Sequence, residues 1–161
     1  MDVQDRIAVF LAEFDFQVIE ISRIYEILKK KAPLLAQHSV ASEAVESTGY
    51  WMHNLYSAFE DLFKLVSAFW ENDLAIEGDF HIHLLRRMLV QVEGVRPALV
   101  SEESYRSLNE LRGFRHVFRH AYTYGLDAER ISLLLRRLLD KKGVFLNDIQ
   151  AFRSAIAEML K

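Results

Sequence analysis

Leu111 to Leu126 reads L-R-G-F-R-H-V-F-R-H-A-Y-T-Y-G-L. It holds Arg112, Arg115, His116, Arg119 and His120, and no acidic residue. On a helix turning about 100° per residue, these five fall within an arc of roughly 140°. Phe114, Val117, Phe118 and Ala121 fall on the opposite side. The spacing predicts a helix that packs by its aromatic side and presents a purely cationic face. Ser101 is suited to cap its start, and Gly125 is suited to the position just after an end near Tyr124.

Outward from this stretch the same three-and-four spacing recurs, and no alternating strand pattern competes with it. Val3, Ile7, Phe10, Phe14, Val18, Ile21, Tyr25 and Leu28 predict a first helix from Asp2 to Lys31, ended by Pro33. Trp51, Leu55, Ala58, Leu62, Val66 and Phe69 predict a second, from Ser42 to Glu71, followed by a polar loop through Asn72, Gly78 and Asp79. A third spans Phe80 to Glu93, closed by Gly94 and Pro97. Asp127 caps a fifth, in which Ile131, Leu135, Leu138, Phe145, Ile149, Phe152 and Ile156 keep one phase through Gly143; the unbroken phase predicts one long helix. The expectation is an all-α, up-and-down bundle of about five helices forming a single domain over residues 1–161.

The bulk numbers narrow the function classes. Apolar residues make up 51% and charged residues 27%, an ordinary globular mix, and only two prolines and six glycines interrupt the chain. A net charge of −3 gives no global field for nucleic acid, so an RNA site must be a local cluster. Cysteine is absent, which excludes disulfides, thiol nucleophiles and thiolate zinc sites. Asp2, Asp5, Arg6, Glu13 and Asp15 leave no secretory apolar core at the start. No uncharged run approaches the roughly 18–20 residues that span a bilayer. These features predict a cytoplasmic protein with no membrane contact.

The cationic face is where chemistry can reside. Like charges at i, i+4 repel by a few tenths of a kcal/mol per pair. A helix C-terminus offsets part of this, and an anion, whether phosphate or the acids of another helix, offsets more. A solvated face of surface ion pairs is the bland alternative. Arginine and histidine in place of lysine argue against it, because arginine offers a planar fork to phosphate oxygens and histidine moves protons near neutral pH. Cutting RNA through its own 2′-hydroxyl needs a base, an acid and positive charge at the phosphorane. His120 suits the base or the acid, and Arg115 with Arg119 the charge. One protomer offers one such histidine, so a two-fold axis would supply the second. His116 is a further proton carrier or an orienting residue, and Arg112 extends the phosphate-binding arc.

Arg115, His120 and Tyr122 form R-x-x-x-x-H-x-Y, which resembles the signature of the HEPN superfamily, in its HepT-like branch. The flanking run from Phe114 to Asp127, the Tyr50, His53, Asn54, Tyr56 and Glu60 set, and Arg96-Pro97 are similar to that branch as well. The resemblance implies a homodimer with motif helices facing each other and metal-independent endoribonuclease activity as a toxin. It also implies a minimal nucleotidyltransferase (MNT-type) antitoxin as partner, in some systems one that attaches AMP to the motif tyrosine. Carried over, Arg115 and His120 would be catalytic and Tyr122 a supporting or AMPylated hydroxyl. The alternative is a non-catalytic helical module that docks to, or is AMPylated by, such a partner.

Other candidates carry less. His81 and His83 lie about 200° apart on a helix, unsuited to one metal and better read as a helix start and surface feature. There is no Glu-x-x-His pair, phosphate-cradling glycine loop or G-x-S-x-G elbow, so neither metal nor cofactor is expected. Asn54 and Glu60 are either satisfied polar groups in a core or interface, or residues that orient the motif helix. Trp51 and Trp70 read as packing residues.

Overall fold

A computed structural model describes residues 1–71, 80–120 and 125–161. The predicted loop after the second helix and the motif tyrosine Tyr122 lie outside the described residues. Within them the chain forms six helices: α1 (Val3–Leu35), α2 (Ser42–Trp70), α3 (Phe80–Leu89), α4 (Glu102–Arg119), α5 (Ala128–Asp140) and α6 (Lys142–Glu158). No helix among them is long and apolar enough to cross a membrane.

α1 and α2 are the antiparallel spine. Asp2 starts α1 with a reciprocal cap: its side chain accepts from Asp5 N–H at 2.8 Å while Asp5 accepts from Asp2 N–H at 3.3 Å. Phe10 meets Trp70 at 4.7 Å between ring centres, Gln17 Nε2 donates to Ala58 O at 2.8 Å, and Lys31 donates to Ser47 at 2.7 Å. Phe14, Ile21 and Leu28 of α1 and Met52, Leu55 and Leu62 of α2 are fully buried in one core. Pro33 does not end α1. It sits two residues before the C-terminus, where its missing N–H removes one hydrogen bond, and burial of Leu35 carries the chain on.

Contacts from α2 to α3 run in the same order along both helices, Glu60 to His81 and Ser67 to Arg87. α3 is therefore parallel to its predecessor, a departure from a strict up-and-down order. It also ends earlier than its spacing predicted. Gly94 adopts φ +74°, and Val92 and Arg96 pair around it through N–H···O bonds of 3.0 and 2.9 Å. The reason is Arg96, whose side chain is fully buried. Its guanidinium donates to Arg87 O at 3.0 Å, Val90 O at 3.0 Å and Pro97 O at 3.2 Å, and pairs with Glu71. A side chain thus satisfies carbonyls left open at the helix end.

The predicted long fifth helix is two helices. The break is one residue wide: Lys141 N–H still donates to Arg137 O, and Phe145 N–H to Lys141 O. Phase is therefore preserved, and every residue of the predicted stripe is buried. The bend lets consecutive lysines reach opposite neighbours, Lys141 to Glu103 of α4 and Lys142 to Glu26 of α1. Beyond it, Phe145 and Phe152 pack on Tyr25 and Phe14 of α1.

The buried Arg96 knot generates a stability prediction. Arg96→Leu strands the Arg87, Val90 and Pro97 carbonyls and should cost about 3–5 kcal/mol, the range for breaking a buried ion pair. Urea denaturation of the two proteins measures it, and a loss under about 1 kcal/mol would mean the knot is not structural.

Candidate functional site

α4 is anchored at its start. Ser101 accepts from Ser104 N–H at 3.3 Å, and its own N–H and hydroxyl donate to Asp148 of α6 at 2.8 and 2.7 Å. Leu108 and Leu111 are fully buried, and Phe114 is half-buried against the core. Phe118 lies against His53 of α2, 5.5 Å between ring centres. Gly49 permits this approach: a Cβ there would stand 3.1 Å from Phe118 and from Leu126. Val117, by contrast, is 54% exposed, so the predicted packing side is only partly covered.

The other side of α4 faces α3. Arg112, Arg115, His116 and Arg119 line a cleft of about 130 Å³ with His81 and Ile82, and no acid lines it. Beneath it lies Glu60 of α2, 3% exposed. Arg115 Nη1 stands 3.5 Å from Glu60 Oε1, and Lys64 Nζ 3.8 Å from the same oxygen. His81 Nδ1 is 2.6 Å from Glu60 Oε2 and 3.2 Å from Arg115 Nη1. A carboxylate flanked by two cations is an acceptor, so His81 donates its Nδ1–H to Glu60. Arg115 Nη1, a donor as well, is then a neighbour of that nitrogen and not its hydrogen-bond partner. The Arg115 guanidinium also lies 5.7 Å from the centre of the Tyr56 ring.

Burial shapes the titration of this layer. The Tyr56 phenol is held above its ordinary range, first by burial and then by the Glu60 charge. His53 is pushed below the ordinary histidine value by burial, then by Arg115 and Arg119, with Glu60 opposing. His53 Nδ1 and Arg115 Nε are buried without a hydrogen-bond partner.

Of the motif residues that are described, Arg115 lines the cleft and His120 lies just past the end of α4. α4 ends at Arg119, not near Tyr124, and His120 is its C-cap, with φ −111° and ψ 5°. His120 is exposed; its Nδ1 lies 2.8 Å from His116 O, so that N–H donates to the carbonyl, and its ring centre is 4.8 Å from that of His116. The cleft thus gathers Arg112, Arg115, His116 and Arg119, and the His120 ring lies tilted against that of His116. Gly125 adopts φ +74° as its residue type suggested, but six residues beyond Arg119 it is not the terminator of α4. Glu60 is joined to Arg115; Asn54, half-buried on α2, has no hydrogen bond to it.

His81 was missed as a site residue. Spacing separates it correctly from His83, which is exposed, but nothing local in the sequence places it beside Arg115, 34 positions away. Among the described residues no three His, Asp or Glu side chains gather to hold a metal. Larger grooves of about 410 Å³ between α1 and α2, and about 550 Å³ between α4 and α5, lack such a cluster of arginine and histidine.

Compared with known families, residues 47–156 match the model described as HepT-like protein. That span takes in most of α2 and nearly all of α6, and so Glu60, His81, Arg115 and His120. No curated protein and no solved structure matches the chain.

His53 generates a pH prediction. Its folded pKa is depressed, so below the ordinary value near 6.5 the unfolded chain binds the proton more readily. Its contribution favours folding above that pH and is lost as pH falls through it. Unfolding free energy measured at pH 7.5 and 5.5 should drop less for His53→Gln than for the native protein; equal drops would refute this.

Proposed function

The chain belongs to the HepT-like family, and we propose that it is a metal-independent endoribonuclease, the toxin of a toxin–antitoxin pair whose other member is a minimal nucleotidyltransferase. In this reading residues 1–161 act as one helical domain in the cytoplasm. Two copies pair so that their α4 ends face each other, and RNA enters the groove between them. The observation that carries the reading is the cleft in which Arg112, Arg115, His116 and Arg119 converge without an acid on its walls. Such a surface is complementary to a phosphodiester. Two of them brought together repel until an anion lies between.

The residues available match the chemistry required. A base removes the 2′-hydroxyl proton, O2′ attacks phosphorus, the bond to O5′ breaks, and an acid returns a proton to O5′. The products are a 2′,3′-cyclic phosphate and a free 5′-hydroxyl. His120 is exposed with Nδ1–H held by a carbonyl, leaving Nε2 for proton transfer. Arg119 and Arg115 stabilise charge on the non-bridging oxygens, and Tyr122 supports the site or accepts AMP from the partner.

One observation favours a second reading. Arg115 is only 17% exposed and already paired with Glu60, as a structural arginine would be. The chain would then be a binding module, with Tyr122 presented to the nucleotidyltransferase and no turnover of RNA.

The two readings are separated by one set of measurements. Purified protein should cut single-stranded RNA in excess chelator, leaving cyclic phosphate ends, and His120→Ala should slow this by about 10²–10⁴-fold, the usual worth of a general acid or base. Intact RNA with an AMP adduct on Tyr122 in cells holding the partner would establish the second reading instead.

A further inference from the structure

We propose that His81 is the second proton-transferring residue of the cleft, acting as general base with Glu60 as its positioning residue. The proposal rests on the ribonuclease reading and deepens it. Each chain would then bring a base as well as an acid to the groove between the two copies.

Three observations carry it. His81 lines the cleft together with Arg112, Arg115, His116 and Arg119, so it faces the place a phosphodiester would occupy. Its Nδ1–H is committed to Glu60 at 2.6 Å, which fixes the tautomer and leaves the Nε2 lone pair as the ring's only proton acceptor. The carboxylate that fixes it is itself buried and immobilised by Arg115 and Lys64, while His81 keeps 41% of its side chain exposed. An imidazole oriented by a buried carboxylate and open on its other side is the arrangement that makes histidine an efficient base. Phe80, whose ring centre is 5.7 Å away and nearly perpendicular, braces the ring.

The proton inventory closes. His81 Nε2 takes the 2′-hydroxyl proton, and a protonated His120, whose ring lies against that of His116 at 4.8 Å between centres, gives one to the leaving O5′. The two histidines exchange states, and solvent resets them. The charged groups facing His81 are Glu60 and Lys64 from α2, and Arg112, Arg115, His116 and Arg119 from α4. A His81 variant keeps all of these residues, and the paired His120 variant shows which limb of the pH profile belongs to which imidazole.

The test compares native protein, His81→Gln and His120→Ala on a fluorescence-quenched RNA oligonucleotide of mixed sequence across pH. His81→Gln should lower kcat by about 10²–10⁴-fold with little change in KM, and should lose the acid limb of the profile, which belongs to the base. His120→Ala should lose the alkaline limb. If His81→Gln melts early, His81→Ala with added imidazole replaces it, and recovery of rate with rising imidazole is expected. A His81 variant within about threefold of native, a slowed variant that keeps its acid limb, or no imidazole rescue overturns the proposal while leaving the ribonuclease reading intact. Native protein inert on RNA overturns both.

Discussion

A carboxylate taken out of water governs how this molecule is assembled around its cleft. Glu60 sits midway along α2 at 3% exposure. Even after relaxation, burying such an ion costs several kcal/mol unless it is met by partners of good geometry. The partners come from three helices: Lys64 from α2, His81 from α3 and Arg115 from α4. Apolar packing holds helices together without choosing a rotation about their axes. A buried ion does choose, because only one rotation of α4 aims Arg115 at Glu60. That choice turns Arg112, His116 and Arg119 toward α3 and thereby builds the cleft.

The resulting field is local. The chain as a whole carries −3, yet the C-terminal half of α4 bears only cations. Its N-terminal turn bears Glu102 and Glu103, so the helix carries its charges as its dipole favours, acids first and bases last. Arg115 is balanced by Glu60, and Arg112 Nε is held by Asn109 at 3.0 Å. The charge left for an incoming anion is therefore supplied chiefly by Arg112 and Arg119, with Arg115 as the fixed wall behind them. This division explains how one arginine can be both part of the fold and part of the proposed phosphate site.

Periodicity made the helices legible, because burial of one face is a property of each segment alone. The stripes of α1, α2 and the α5–α6 pair were visible for that reason, and so was the cation arc of α4. What was illegible depends on contacts between segments. The end of α3 is set by Arg96 reaching back to carbonyls up to nine residues earlier, and the bend at Lys141 by two lysines drawn to different helices. Pro33 was read by its local rule, which burial of Leu35 overrides. Glu60 was noticed as a candidate orienting residue, but His81 could not be joined to it, since pairing between an acid and a histidine 21 positions apart leaves no spacing signature. The match to the HepT-like model rests on a pattern spread over α2 to α6, and so includes residues that local reading leaves unconnected.

The two ends of α4 divide stability from the proposed chemistry. Near its start, Ser101 is tied to Asp148, Glu103 to Lys141 and Glu110 to Arg137, all contacts with α5, α6 or the residue between them. None of these residues lines the cationic cleft. Near its end, His116, Arg119 and His120 are exposed. Crowded like charges there destabilise the helix only slightly, because the anchors upstream share no residue with them. The fold can thus carry an arrangement that is unfavourable until an anion arrives. Glu60 and His53 are the exceptions, buried or half-buried on α2 yet electrically coupled to the arginines. Through them, occupancy of the cleft would be felt in the core.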